Sequence, residues 1–127
     1  MNRIVVDSSA VLAVLLGEPG ASLVEQSLGG ALILTVNLAE VATKQLAGGV
    51  DLKTARREFD ELGIKVVDFT RDLAEDAAVL AASTRAAGLS LGDRACIALA
   101  QREKLPVLTA DRAWRDVDAG VRIELIR

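Results

Sequence analysis

The chain has 127 residues, is 51% apolar and carries a net charge of −3. That suffices for one core burying about two-thirds of the unfolded surface and argues against disorder, while the mild acidity offers no basic footprint for tight nucleic-acid binding. With no His, no Tyr and one Cys, it excludes a serine-hydrolase triad, a Cys–His dyad, His-based zinc chemistry, a tyrosine nucleophile and an internal disulfide.

Ile4-Val5-Val6 is a β-branched run that predicts a buried first strand. Arg3 and the apolar stretch after it invite comparison with a leader. Asp7 interrupts that stretch, however, and residues 10–17 are too few to span a membrane. A soluble, cytoplasmic protein is therefore expected. Ser8 or Ser9 is placed to cap a helix running to residue 16, and residues 21–28 predict a second helix. Residues 31–35 form the next expected strand and 36–47 the helix after it. There Leu38, Val41, Ala42, Gln45 and Leu46 share one face, while Asn37, Glu40 and Lys44 lie on another.

Residues 52–62 predict a charged amphipathic helix with Arg56, Arg57, Glu58, Asp60 and Glu61 outward. A third strand is expected over 64–67, then a long alanine-rich helix over 73–87 that Gly88 ends. A helix over 91–104, a fourth strand at Val107-Leu108-Thr109 and a fifth, at the sheet edge, over 121–126 follow. Cys96 lies in the apolar run Ala95-Cys96-Ile97-Ala98 and reads as core filler. Short strands, apolar on both faces and separated by helices, mark a parallel sheet covered on both sides. The expected class is α/β, an α/β/α sandwich, with one domain over residues 1–127.

In such sheets sites form beyond the carboxyl ends of the strands. Asp7 directly follows the first strand, Glu40 lies in the first turns of the helix after the second, and Asp111 comes two residues after Thr109. Asp93 sits in the first turn of the helix over 91–104, whose start faces the same edge. Each acid alone has a plainer account. Asp7 can cap a turn, Glu40 can pair with Lys44 four residues on, Ser90-Leu91-Gly92-Asp93 reads as a capping box, and Asp111 can open a short helix containing Trp114. Four acids on one rim nevertheless repel and resist ionising together unless a cation binds among them. An all-oxygen set without His or thiolate suits Mg²⁺ or Mn²⁺ and disfavours Zn²⁺.

Those residues fall in four runs. They are Val5-Val6-Asp7-Ser8-Ser9-Ala10, Val36-Asn37-Leu38-Ala39-Glu40-Val41, Leu89-Ser90-Leu91-Gly92-Asp93-Arg94-Ala95 and Leu108-Thr109-Ala110-Asp111-Arg112-Ala113-Trp114. In this order and spacing the chain resembles, over essentially its whole length, the PIN-domain toxins of VapBC type. The resemblance implies an endoribonuclease selective for single-stranded RNA, one half of a toxin–antitoxin pair, leaving a 5′-phosphate and a 3′-hydroxyl. It implies that Asp7 and Asp93 are the principal metal ligands and that Glu40 and Asp111 complete the site or orient the attacking water. Ser8 and Thr109 become supporting hydroxyls behind the acids. Lys44, Arg94, Arg112 and Arg115, close to them in sequence, become candidates for RNA phosphates, and Asp116 a further acid near the site.

The resemblance also implies an antitoxin partner of VapB type, with the toxin as a homodimer or in a hetero-oligomer with it. Val11, Leu12, Leu15, Leu16, Leu23, Val24, Leu28, Leu38 and Leu46 exceed what two short helices can hide against one sheet face, so some are expected to line a groove. An amphipathic helix fits such a groove, and an acidic site favours an Arg reaching in from it. Two other classes compete. In a phosphoacceptor domain of receiver type, Asp7 would bind Mg²⁺ and Asp68 accept the phosphate, but an adjacent acid pair after the first strand and a Lys-Pro are missing. A non-catalytic PIN-like RNA-binding or scaffold protein would have no need to concentrate so much negative charge.

Overall fold

The computed structural model describes residues 3–127. Among them runs a five-stranded parallel sheet of order β3-β2-β1-β4-β5. Its strands are β1 (Ile4–Val6), β2 (Ala31–Leu34), β3 (Lys65–Val67), β4 (Val107–Thr109) and β5 (Ile123–Leu125). The helices are α1 (Ser8–Leu16), α2 (Ala21–Glu25), α3 (Thr35–Ala47), α4 (Leu52–Asp60), α5 (Arg71–Ser83) and α6 (Leu91–Glu103).

Strand side chains point alternately to the two faces, and here each set meets its own layer of helices. Val5, Leu32, Leu34 and Val107 pack with Leu73, Ala77, Ile97 and Leu99 of α5 and α6. Ile4, Val6, Ile33 and Leu108 pack with Ala10, Val11, Val24, Val41 and Phe59 from α1 to α4. The fold is thus the α/β/α sandwich expected from the apolar runs, and β5 takes the edge place.

Strand order positions the site. β1 lies between β2 and β4, so the chain departs from it to opposite sides, and a crevice opens beyond the carboxyl ends of β1 and β4. The Val5 N–H donates to Pro106 O at 2.9 Å and the Asp7 N–H to Leu108 O at 3.2 Å, so the pairing continues up to the first acid.

Several boundaries differ from the sequence expectation. The helix expected over 21–28 stops at Glu25, and Leu28–Gly30 forms a 3₁₀ turn instead. Gly29 and Gly30 disfavour a continued α-helix, and the entry is constrained too. Gly20 has φ +94°, and a Cβ there would stand 2.5 Å from the Ile126 carbonyl oxygen. α5 begins at Arg71, two residues earlier than expected, because Thr70 Oγ1 accepts the Leu73 N–H at 3.3 Å. It ends at Ser83, where the Ser83 and Thr84 hydroxyls donate to Leu80 O at 3.2 and 2.7 Å, and Arg85–Ala87 tightens to 3₁₀ geometry. Such bonds back to the preceding turn compete with helix propagation, which an alanine-rich run conceals.

Of the aliphatics on the early helices, Val11 and Val24 are fully buried, and Leu12, Leu15, Leu28 and Leu38 are half-buried. Leu16, Leu23 and Leu46 remain 59%, 42% and 45% exposed. Among the described residues no helix is long and apolar enough to cross a membrane.

Candidate active site

Asp7 caps α1 itself, in place of Ser8 or Ser9: its Oδ1 accepts the Ala10 N–H at 3.0 Å. Oδ1 also accepts the Ser9 hydroxyl and Oδ2 the Thr109 hydroxyl, each at 2.7 Å. Each hydroxyl also accepts a backbone N–H, Ala110 to Ser9 Oγ at 2.8 Å and Asp111 to Thr109 Oγ1 at 3.0 Å, and the two hydroxyls lie 3.3 Å apart. Asp7 is only 4% exposed.

Asp93 closes a capping box at the start of α6. Its Oδ2 accepts the Ser90 N–H at 3.0 Å, and its own N–H donates to Ser90 Oγ at 3.2 Å. Asp111, exposed, caps the 3₁₀ turn Arg112–Trp114 through the Ala113 N–H at 2.9 Å. Glu40, half-buried on α3, accepts from Asn37 Nδ2 at 3.0 Å, and among the described residues it forms no ion pair with Lys44. Three of the four plain accounts are therefore true as local structure, without removing the acids from a common rim. Thr109 links Asp7 to Asp111, and Asn37, donating to Gly92 O at 3.1 Å, ties the Glu40 turn to the Asp93 turn.

The electrostatics show the same convergence. Burial pushes Asp7 up from 3.8 to about 6 against three hydrogen bonds that lower it, and the Asp93 charge adds to the rise. Burial also raises Asp93, the Ser90 bonds oppose it, and the charges of Asp111 and Glu40 raise it further. Beneath them burial pushes the Cys96 thiol well up, with Asp7, Asp93 and Glu40 adding their fields, so it stays protonated and is no metal ligand.

A carboxyl raised on folding contributes stability that is complete below its ordinary pKa and lost as pH rises through the raised one. For Asp7 that window runs from about 4 to about 6. Metal-free protein is therefore expected to gain on the order of 1 kcal/mol from this group when acidified from pH 7.5 to 5, and Asp7→Asn to flatten that gain. Melting curves across this range test it; a parent and variant with the same pH profile would refute the assignment.

Among the described residues no three acids are drawn together tightly enough to ligate one metal ion at once. Each is held by its own local bond. The donor set still fits a hard divalent cation, which in the case of Mg²⁺ commonly takes one or two carboxylates and keeps several waters. Cys96 offers nothing softer.

The other sequence candidates divide. Thr109 is in the centre of the network, whereas Ser8 makes no bond to the acids among the described residues, and Ser9 does instead. The cue was available: a capping side chain faces the second and third helical residues, which here are Ser9 and Ala10. Asn37 was missed because a buried amide on a polar helix face has no sequence mark. Arg94, expected to face RNA, instead donates to Ala77 O at 2.9 Å, part-buried, and straps α6 to α5. Lys44, Arg112 and Arg115 are exposed. Asp116 lines a cleft of about 440 Å³ with Arg112, Ser83 and Ala87, apart from the four acids. Asp68 lies at the end of edge strand β3, with β2 between it and β1, about 10 Å to the side; that arrangement does not assemble a receiver-type site. A cavity of about 770 Å³ lies between α3, α4 and β3, lined by Leu38, Ala42, Leu52, Phe59 and Val66 and by none of the four acids.

A family model described as PIN domain matches residues 4–120. Among curated proteins no sequence matches. Solved structures share the fold. A toxin-antitoxin complex from Klebsiella pneumoniae superposes with TM-score 0.76 at 17% identity, covering 98% of each chain. A DNA-bound VapBC from Salmonella typhimurium gives 0.69 at 16%, covering 100% of each. FitAcB from Neisseria gonorrhoeae gives 0.68 at 18%, covering 97% of each.

Proposed function

Because the chain belongs to the PIN domain family, we propose that it is the toxin of a toxin–antitoxin pair, an Mg²⁺-dependent endoribonuclease acting on single-stranded RNA in the cytoplasm. One observation carries this reading above all. Asp7 and Asp93 are half or wholly buried and both raised, beside two further acids, at the crevice between β1 and β4. As anions these carboxyls are disfavoured by burial and by one another's charge, whereas a bound cation reverses the sign of their environment.

Asp7 and Asp93 are the direct ligands in this proposal, and Glu40 and Asp111 complete the set or hold the attacking water. When bound, Mg²⁺ or Mn²⁺ lowers the pKa of a water and stabilises the leaving oxygen of a phosphodiester. Ser9 and Thr109 hold the Asp7 carboxylate in one orientation, because each donates to a different one of its two oxygens. Lys44, Arg112 and Arg115 stand free to meet RNA phosphates, which an acidic surface does not otherwise attract. Cleavage leaves a 5′-phosphate and a 3′-hydroxyl.

The similar folds include a toxin-antitoxin complex and a VapBC assembly, which supports an antitoxin as partner. Leu16, Leu23 and Leu46 and the groove beside Leu38, Leu52 and Val66 offer apolar anchors for a helix, in a homodimer or a toxin–antitoxin hetero-oligomer. One assay tests the whole reading. Single-stranded RNA should be cut, the cutting should stop in EDTA and return with Mg²⁺ or Mn²⁺, and the co-expressed product of the neighbouring gene should silence it unless Leu16 is replaced by Asp. Cleavage that persists in chelator would sink the mechanism. Absence of any cleavage would favour a non-catalytic scaffold, and failure of the neighbour to bind would remove the antitoxin.

A further inference from the structure

Asn37 is 1% exposed, yet it lies on the polar side of α3, in its first turn. Its Nδ2 donates to Glu40 Oε1 at 3.0 Å and to Gly92 O at 3.1 Å. Both partners are acceptors, so the amide has one acceptable orientation: the reverse would set an oxygen against a carboxylate and a carbonyl. That orientation leaves Asn37 Oδ1 buried without a partner among the described residues, a burden that a merely structural amide is rarely left with.

Gly92 is the other half of the contact. Its backbone is ordinary helix, so conformation does not demand glycine there; space does. A Cβ at Gly92 would stand 2.7 Å from Glu40 Oε2 and 3.0 Å from both Cδ and Oε1. The Glu40 carboxylate therefore lies directly on the α6 backbone, one residue before Asp93, and the Asn37 amide clasps the two together.

We infer that Asn37 is a positioning residue that fixes Glu40 against the first turn of α6, with Gly92 as the surface that receives it, and so sets the separation of Glu40 from Asp93 for cation binding. This rests on the metal-dependent reading above. Removing an outer partner of a metal-binding carboxylate typically weakens affinity by about ten- to a hundredfold.

The probe is Mn²⁺ alone, its binding to the full chain followed by the loss of the free-ion electron paramagnetic resonance signal, without RNA. Asn37→Ala is expected to weaken Mn²⁺ binding by about ten- to a hundredfold. On a Glu40→Ala background the same change is expected to have almost no further effect, since a residue acting through Glu40 has nothing left to position. Gly92→Ala approaches the contact from the other side and should weaken binding in the same way, which keeps the test alive if Asn37→Ala does not fold. Equal losses with and without Glu40, or an unchanged affinity in both single variants, would overturn the inference while leaving the metal site standing. A parent chain that binds no Mn²⁺ would overturn the metal-dependent reading itself, and this inference with it.

Discussion

Asp93→Asn is expected to lower RNA cleavage by at least about a hundredfold without lowering the melting temperature of the metal-free protein. The two parts have different causes. Asparagine keeps an oxygen that can accept the Ser90 N–H, so the capping box at the head of α6 survives. It removes the charge that burial disfavours and that Asp111 and Glu40 repel, so the empty site is relieved. What it cannot do is bind a divalent cation as a carboxylate does. A residue serving only as a cap would give the opposite pattern, with cleavage kept and up to about 1 kcal/mol of stability lost. Cleavage rates and metal-free melting on the same preparation separate the two; a drop in melting with cleavage intact would assign Asp93 to structure alone.

Trp114→Ala is expected to have the largest effect on stability, about 3–5 kcal/mol. The indole is fully buried in the core under α5 and α6, among Val107, Leu99 and the residues of the C-terminal segment. Since a domain of this kind is stable by about 5–15 kcal/mol, such a loss threatens folding at moderate temperature. Its Nε1–H has no partner among the described residues, and a buried unpaired donor is itself unfavourable. Trp114→Phe removes that donor along with part of the volume and is therefore expected to cost less than the alanine change. The effect reaches the site as well, because Trp114 ends the turn that Asp111 caps, and its N–H donates to Asp111 O at 3.2 Å. Chemical denaturation of both variants decides the matter. An alanine variant within about 1 kcal/mol of the parent would show that the segment after β4 is anchored elsewhere.

Much of this architecture is legible in the residues, and the illegible remainder has identifiable causes. Ile4-Val5-Val6, Ala31 to Leu34 and Val107 to Thr109 stand out because both their faces are apolar, a pattern that only a sheet buried on both sides requires. Asp7, Glu40, Asp93 and Asp111 stand out because each follows or faces such a strand end. Less legible are contacts between distant turns. Nothing near Ser9 in the chain points to Thr109, and nothing near Asn37 points to Gly92. Arg94 looks like any surface base until α5 is packed beside it and Ala77 O takes its guanidinium. The break after Ser83 was hidden for a different reason: it depends on hydroxyls bonding backward, against an alanine-rich composition that favours continued helix.

The Thr109 hydroxyl reaches Asp7 across 102 positions of chain. β1 leaves the ribosome well before its second neighbour, β4. During synthesis the growing chain can pair β1 with β2 and cover one face, but Asp7 has no Thr109 and the rim has no Asp111. Contacts so far apart in sequence also close slowly. The acids of this protein thus come together only once β4 has been made, and a nascent chain stopped before β4 carries the first half of the centre without the second.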